Sequence, residues 1–245
     1  MKIYLINLDK DKERLIAAES QLKRFGLQFE RVGAVYGKAM PVEEKEAAVN
    51  AFRWWCAVGR CIWDGEIGCA LSHRKARNLM ITQNEDIACI LEDDVVLSDM
   101  FPDVLRYIAE NLDKYESNVV LLSNHTPQKK IGMPRKGFYL QKARNDMFTE
   151  GYVLTLPAAR NLNSVNYPMI TPCDWWGRWK RKGLIHLYHS VPTVCSQNRN
   201  DFKSTIGDGE FKPVSSYGVI KKCLHKSARA VGLAIDKLLE MLWHE

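Results

Sequence analysis

A chain of 245 residues is long enough to bury a sizeable core in one large domain. At 46% hydrophobic and 26% charged it has the composition of an ordinary soluble globular protein, and no stretch approaches the roughly 20 apolar residues of a spanning helix. A net charge of +6 favours an anionic partner but gives no further support to nucleic-acid binding.

Met1–Asn7 is too short an apolar run for a signal peptide, and Asp9, Lys10 and Asp11 follow at once, so a cytosolic location is expected. Seven cysteines include no Cys-x-x-Cys pair, which argues against a zinc ribbon. Cys69, Cys89 and Cys195 lie in apolar surroundings and read as small buried hydrophobes, while Cys56 and Cys61 are close enough in sequence to pair.

Lys2–Asn7 reads as a first strand. Leu15, Ala18, Leu22 and Phe25 recur at helical spacing, and Gly26 stops that helix. Gln28–Val32 reads as a second strand running into Gly33 and Gly37, and Pro41 opens a short helix rich in Glu and Ala. Phe52–Asp64 fits no simple pattern: Trp54, Trp55 and Trp63 flank two cysteines and two arginines. A helix over Gly65–Gln83 precedes the apolar run Ile87–Leu91, and Phe101–Leu112 and Val119–Leu122 read as a further helix and strand. This alternation predicts a mainly parallel sheet with helices on both faces.

The second half is less regular. Phe138–Leu140 and Tyr152–Leu156 read as strands, Pro157 sits where prolines start helices, and Ile185–His189 and Thr193–Cys195 read as further strands. Lys129, Lys130, Arg135, Lys136, Lys142 and Arg144 form a basic stretch without an acid, either a solvated loop or a rim for phosphates. With no repeat or linker, a single domain is expected over 1–210, followed by a basic amphipathic helix over 211–245. Within it Val219, Ile220, Leu224, Val231, Ile235, Leu238, Leu239 and Leu242 share one face, and Lys221, Lys222, Lys226 and Arg229 line the other. Such a helix can lie on an anionic membrane surface or dock on its own domain.

Glu92-Asp93-Asp94 closes the strand Ile87–Leu91, where an open α/β sheet places its ligand crevice. Three adjacent carboxylates repel one another, and a divalent cation relieves that repulsion. Carboxylates together with substrate phosphates are the usual holders of Mg²⁺ or Mn²⁺, so a metal–diphosphate site is expected here. The plain alternative is a solvated acidic loop before a helix. Successive side chains at a strand end diverge, so Glu92 and Asp94 are expected to face one side and Asp93 the other.

Several segments together resemble glycosyltransferase family 25, which includes bacterial lipooligosaccharide sugar transferases and collagen galactosyltransferase-like proteins. They are Ile6-Asn7-Leu8 with Arg14, Gly33-Ala34-Val35-Tyr36-Gly37, Gly65-Glu66-Ile67-Gly68-Cys69-Ala70-Leu71-Ser72-His73 and Ile90-Leu91-Glu92-Asp93-Asp94-Val95. Weaker echoes follow in Gly151–Leu154, in Pro172-Cys173-Asp174 and near Ser196, Gln197 and Ser204, so the likeness spans roughly 1–206. The resemblance implies an A-type nucleotide-diphospho-sugar transferase fold, a Rossmann-like α/β architecture. It also implies a UDP-sugar donor, UDP-galactose or UDP-glucose, and inversion at the anomeric carbon. The tryptophan-rich Phe52–Asp64 segment and Glu150 depart from the family pattern, which leaves acceptor choice open.

An inverting transfer needs neutralisation of the departing diphosphate and a base for the acceptor hydroxyl. Asp94 is the expected ligand of Mn²⁺ or Mg²⁺, with Glu92 on the ribose or aiding the metal, and Asp93 either at the donor or paired to an arginine. The resemblance places Asn7 and Arg14 near the uridine, and gives Glu66, Ser72 and His73 contacts to donor or sugar. Taken alone, Arg14 is a surface salt-bridge residue, Glu66 a helix-start acid and His73 a core histidine. Asp174 is the candidate base, with Glu150 as substitute, although an aspartate there also suits a helix N-cap. Of Trp175, Trp176 and Trp179, one is expected to meet sugar and two to be core, and Gln197 and Ser204 to close over the diphosphate.

The preferred reading is a hexosyltransferase acting on a lipooligosaccharide or lipopolysaccharide acceptor at the inner membrane surface. The alternatives are transfer to a protein hydroxyl and a non-catalytic membrane-surface adaptor of the same fold.

Overall fold

The short apolar runs become strands whose alternate residues feed two separate apolar layers. The computed structural model describes residues 1–123, 137–143 and 147–198. In chain order the elements are β1 (Lys2–Asn7), α1 (Lys12–Arg24), β2 (Glu30–Gly33), α2 (Val42–Ala48), α3 (Ala51–Val58), α4 (Asp64–Thr82), β3 (Ile87–Glu92) and β4 (Val95–Leu97). They continue with α5 (Phe101–Asn111), β5 (Asn118–Leu121), β6 (Tyr139–Lys142), β7 (Gly151–Thr155), α6 (Leu156–Val165), α7 (Trp176–Arg181), β8 (His186–Val191) and β9 (Cys195–Gln197). The basic residues Lys129, Lys130, Arg135, Lys136 and Arg144, together with the C-terminal segment Tyr217–Trp243, lie outside the described residues. No described helix is long and apolar enough to cross a membrane.

The chain divides into two units. Among its described residues the larger comprises Met1–Val35, 69–123, 137–143, 147–165 and 173–198. Its sheet runs β2-β1-β3-β7-β5-β8-β6. β1, β2, β3, β5 and β8 share one direction, while β7 and β6 run against it. The expected mixed α/β architecture with a mainly parallel sheet is present. The reversed β7 was not expected, because an apolar run carries no sign of its direction.

Tyr4, Ile6, Ala88, Ile90, Tyr152 and Leu154 point into one layer with Ala76 and Met80 of α4, Leu162 of α6 and Trp176 and Trp179 of α7. Ile3, Leu5, Cys89, Leu91 and Val153 point into the other with Leu22 of α1 and Phe101 and Ile108 of α5. Helices therefore cover both faces. Packing rather than capping holds α1: Asp11 makes no side-chain cap bond, a contribution of about 1 kcal/mol. Full burial of Leu22 alone is worth about 1.5–3 kcal/mol. Gly26 adopts φ +67°, the left-handed conformation that lets the chain turn away after α1.

The smaller unit has Tyr36–Gly68 and Asn166–Pro172 among its described residues. The irregular tryptophan-rich segment Phe52–Asp64 is helical as far as Val58, in α3, and residues 59–63, with Trp63, form a loop that leads into α4. Asn50 caps α3 by accepting from the Arg53 N–H at 3.0 Å, Gly59 at φ +83° ends it, and Trp54 is fully buried. No disulfide joins Cys56 and Cys61. A parallel bridge pairs Val49 with Met169. A Cβ on Gly37 would stand 1.8 Å from the Asp64 carbonyl oxygen and 3.0 Å from the Gly68 nitrogen, so backbone meets backbone at the start of α4. Gly37→Ala should lower stability by about 3 kcal/mol, the upper end for overpacking, read as a fall in the melting temperature. An unchanged melting point would show that this close approach is not rigid.

Candidate active site

The carboxyl ends of β1 and β3 lie side by side in parallel register, with Ile6 opposite Glu92. That pairing brings Asn7, at the end of β1, to the acidic triplet. β3 ends at Glu92, and Asp93 and Asp94 lie in the turn that leads to β4. Strand alternation therefore stops one residue too early for the expected division of the triplet. Asp93 and Asp94 share one guanidinium, while Glu92 turns to a different set of partners.

Asn7 donates to Asp93 Oδ2 at 2.7 Å and to the Asp11 carbonyl at 2.9 Å, and its own Oδ1 accepts from Arg31 Nε at 3.0 Å. Arg14 Nη1 lies 3.3 Å from Asp93 Oδ1 and 3.6 Å from Asp94 Oδ2. Its side chain is only 12% exposed, so this is not the surface pair that the residue in isolation implied. Burial raises the Asp93 carboxyl above its ordinary range, against the lowering pull of Asn7 and Arg14.

Asp94 is held differently. Its Oδ2 accepts from Gln197 Nε2 at 3.0 Å, while its Oδ1 is buried with no hydrogen-bond partner among the described residues. Burial, then the neighbouring Glu92 charge, pushes its carboxyl up to about 6. Gln197 arrives through the β4–β9 ribbon, where Val95 faces Gln197 and Leu97 faces Cys195. The Asn198 N–H also donates to the Asp94 carbonyl at 2.7 Å. Ser204 lies outside the described residues.

Glu92 Oε1 lies 3.1 Å from His73 Nε2 and accepts from the Thr149 hydroxyl. Burial raises its carboxyl, but the His73 and Thr149 hydrogen bonds and nearby positive charge outweigh that and leave it below its usual range. His73 is buried on α4, and its Nδ1 lies 3.1 Å from Tyr152 Oη on β7. Tyr152 in turn packs edge-on against Trp176, with ring centroids 5.0 Å apart. His73 thus joins Glu92 to the aromatic layer beneath it.

Ser72 is buried and its Oγ accepts from the Val35 N–H at 2.8 Å. Glu66 belongs to the smaller unit, where both carboxylate oxygens meet the Arg60 fork at 2.7 Å and Oε2 also accepts from the Trp63 N–H. Arg60 lies over the Trp63 ring at 3.9 Å.

Asp174 does not cap α7 with its side chain. Its Oδ2 accepts from the Phe148 N–H at 3.0 Å, and the Phe148 carbonyl accepts from Trp176 Nε1 at 2.8 Å. Phe148 itself has φ +80°, uncommon for a non-glycine residue. The next residue, Thr149, donates to Glu92, and the Glu150 carbonyl accepts from the Glu92 N–H at 2.9 Å. Asp174 is in this way connected to the acidic turn through one short segment. Trp176 and Trp179 are core, and Trp175 is half-buried.

Cys89 and Cys195 are buried, as the sequence implied. Cys69 is not simply a small hydrophobe: it lies half-buried with its Sγ 3.8 Å from Cys173 Sγ, close to His73 and Glu92. Sequence reasoning also missed Thr149 and Tyr152. The one available signal was a tyrosine in an otherwise aliphatic strand.

A hard divalent cation suits the acidic turn. Asp94 Oδ1 is a desolvated oxygen whose lone pairs meet no donor among the described residues, and one guanidinium faces two carboxyls. Asp94, with the edge of Asp93, would hold such an ion.

The family model described as glycosyltransferase family 25 (LPS biosynthesis protein) matches residues 1–176. Human procollagen galactosyltransferase 2 is 27% identical over 182 residues, covering 71% of this chain and 29% of that protein. A glycosyltransferase 25 family member from Anopheles gambiae is 28% identical, covering 65% of this chain and 28% of its own length. The chain thus spans under a third of the length of these relatives. A Bacillus anthracis structure described as a glucose-1-phosphate thymidylyltransferase aligns over 79% of this chain and 69% of that one, at a TM-score of 0.37 and 9% identity. That likeness is too weak to carry a conclusion.

Proposed function

The chain belongs to glycosyltransferase family 25, and from that premise we propose that it moves galactose or glucose from a UDP-sugar to an acceptor hydroxyl, with inversion. The observation that carries this reading is the buried oxygen of Asp94 at the carboxyl end of β3, which has no hydrogen-bond partner among the described residues. An unused anionic oxygen has no structural value there, and it suits a site that receives a cation with a diphosphate.

In this reading Asn7 and Arg14 hold the Asp93–Asp94 turn in one shape before the donor arrives, so little reorganisation accompanies binding. Gln197 fixes the Asp94 carboxyl from the opposite strand. Bound there, Mn²⁺ or Mg²⁺ supplies Lewis-acid neutralisation of the departing diphosphate. Glu92, kept ionised by His73 and Thr149, accepts hydroxyls of the donor. Asp174 takes the proton from the acceptor hydroxyl as the new bond forms.

For the acceptor we favour a lipooligosaccharide-type glycolipid at the inner membrane surface, in keeping with the family description and with the basic amphipathic pattern of the C-terminal sequence. The names of the curated relatives favour a second acceptor, a protein hydroxyl.

The test is product formation from UDP-galactose and UDP-glucose with Mn²⁺ or with EDTA, offered lipooligosaccharide or a hydroxyl-bearing peptide. Transfer to glycolipid that EDTA abolishes is the expected result. Transfer to peptide alone would select the second acceptor. Neither turnover nor UDP binding would leave a non-catalytic adaptor.

A further inference from the structure

Cys69 and His73 are four apart on α4 and so share one face of that helix. One ligand atom from each of Cys69, His73 and Glu92 lies within 4.8 Å of the others. Cys173, carried in just before α7, adds a second sulfur 3.8 Å from that of Cys69. That spacing is far too long for a disulfide. Two thiolates on one tetrahedral zinc, each about 2.3 Å from the metal, are about 3.8 Å apart. The His73 Nε2 to Glu92 Oε1 separation is 3.1 Å, against about 3.3 Å for a nitrogen and an oxygen each about 2.0 Å from the same ion.

We propose that Cys69, His73, Glu92 and Cys173 form a four-coordinate site for a soft divalent ion of the zinc class, distinct from the hard-cation position at Asp94. The donor sets separate the two. Thiolate and imidazole select zinc, whereas the carboxylate oxygens of the acidic turn suit magnesium or manganese. His73 is already oriented as a ligand, since Tyr152 Oη lies 3.1 Å from Nδ1 and leaves Nε2 to face the site. Cys69 and Cys173 are both half-buried, which leaves a route for the ion. A zinc ion here would tie Cys173 to α4 and fix the residue beside it, Asp174. It would also draw on Glu92, so the site can hold the turn before α7 in place and restrain the acidic end of β3 together.

The test uses the full chain, reduced and stripped with chelator, then titrated with Co²⁺ and with Zn²⁺. One equivalent of Co²⁺ should give tetrahedral d–d bands with a sulfur-to-cobalt charge-transfer band, and Zn²⁺ should displace it. Cys173→Ser should lower the charge-transfer intensity by about half, and Cys69→Ser and Cys173→Ser should each weaken zinc by at least about tenfold. Asp94→Asn should leave zinc affinity within about twofold, which keeps the result independent of sugar transfer. Circular dichroism checks that each variant folds; if Cys69→Ser does not, the half-buried Cys173→Ser decides the matter. The proposal is overturned by an octahedral or absent cobalt spectrum, by charge-transfer intensity that Cys173→Ser leaves unchanged, or by a Cys69–Cys173 disulfide persisting in reductant.

Discussion

Asp94→Asn should reduce hexose transfer by about 10²–10³-fold, the effect of withdrawing several kcal/mol of charge neutralisation from the departing diphosphate. UDP binding in the presence of Mn²⁺ should weaken with it. The melting temperature should hold or rise, and that contrast is the diagnostic part. The folded-state value of about 6 lies above the ordinary aspartate value of 3.8, so the ionised carboxyl is less stable in the folded chain than in the unfolded one. The sign is therefore unfavourable to stability above the unfolded value, and a neutral amide removes the penalty. The amide oxygen can still accept from Gln197 Nε2. Activity lost without stability lost marks an oxygen kept for a ligand. A variant within tenfold of wild type would end the metal–diphosphate reading.

Asp174→Asn should lower transfer by about 10²–10⁴-fold while leaving UDP affinity unchanged. The substitution separates two jobs of one carboxyl. Asparagine keeps an oxygen to accept the Phe148 N–H, so the segment leading to Thr149 and Glu92 stays in place. What it loses is the ability to take a proton. Asp174→Ala removes both, and should also disturb the Phe148 backbone. If Asp174→Asn turns over at the wild-type rate, the residue is a tether for Phe148, and Glu150 is the next carboxyl to examine.

Much of this framework was readable because apolar periodicity is a local property. Lys2–Asn7 and the apolar run before Glu92 emerged as β1 and β3, and Gly26 stopped α1 as a left-handed residue should. Relations between distant segments were not readable. β4, three residues long, was not read at all, and the strand read at Thr193–Cys195 forms two residues later as β9, where β4 pairs with it. Cys69 looked like filler because its partner sulfur is 104 positions away. The triplet was found, but the facing of its side chains was misjudged, because alternation holds only while the strand lasts. Ser72 and Glu66 belong to the most specific string, and in the folded chain Ser72 holds the Val35 backbone while Glu66 meets the Arg60 fork. A sequence motif mixes residues that touch a ligand with residues that shape the fold around it.

The sheet order carries a consequence for anyone trimming this chain. β8 is an inner strand, paired on one side with β5 and on the other with β6, yet it begins ten residues after the family match ends at residue 176. A fragment cut at that border would lose the strand that joins β6 to β5 and strip Asp94 of its glutamine. The border of recognisable ancestry and the border of the foldable body are different places, and only the second is a safe cloning site.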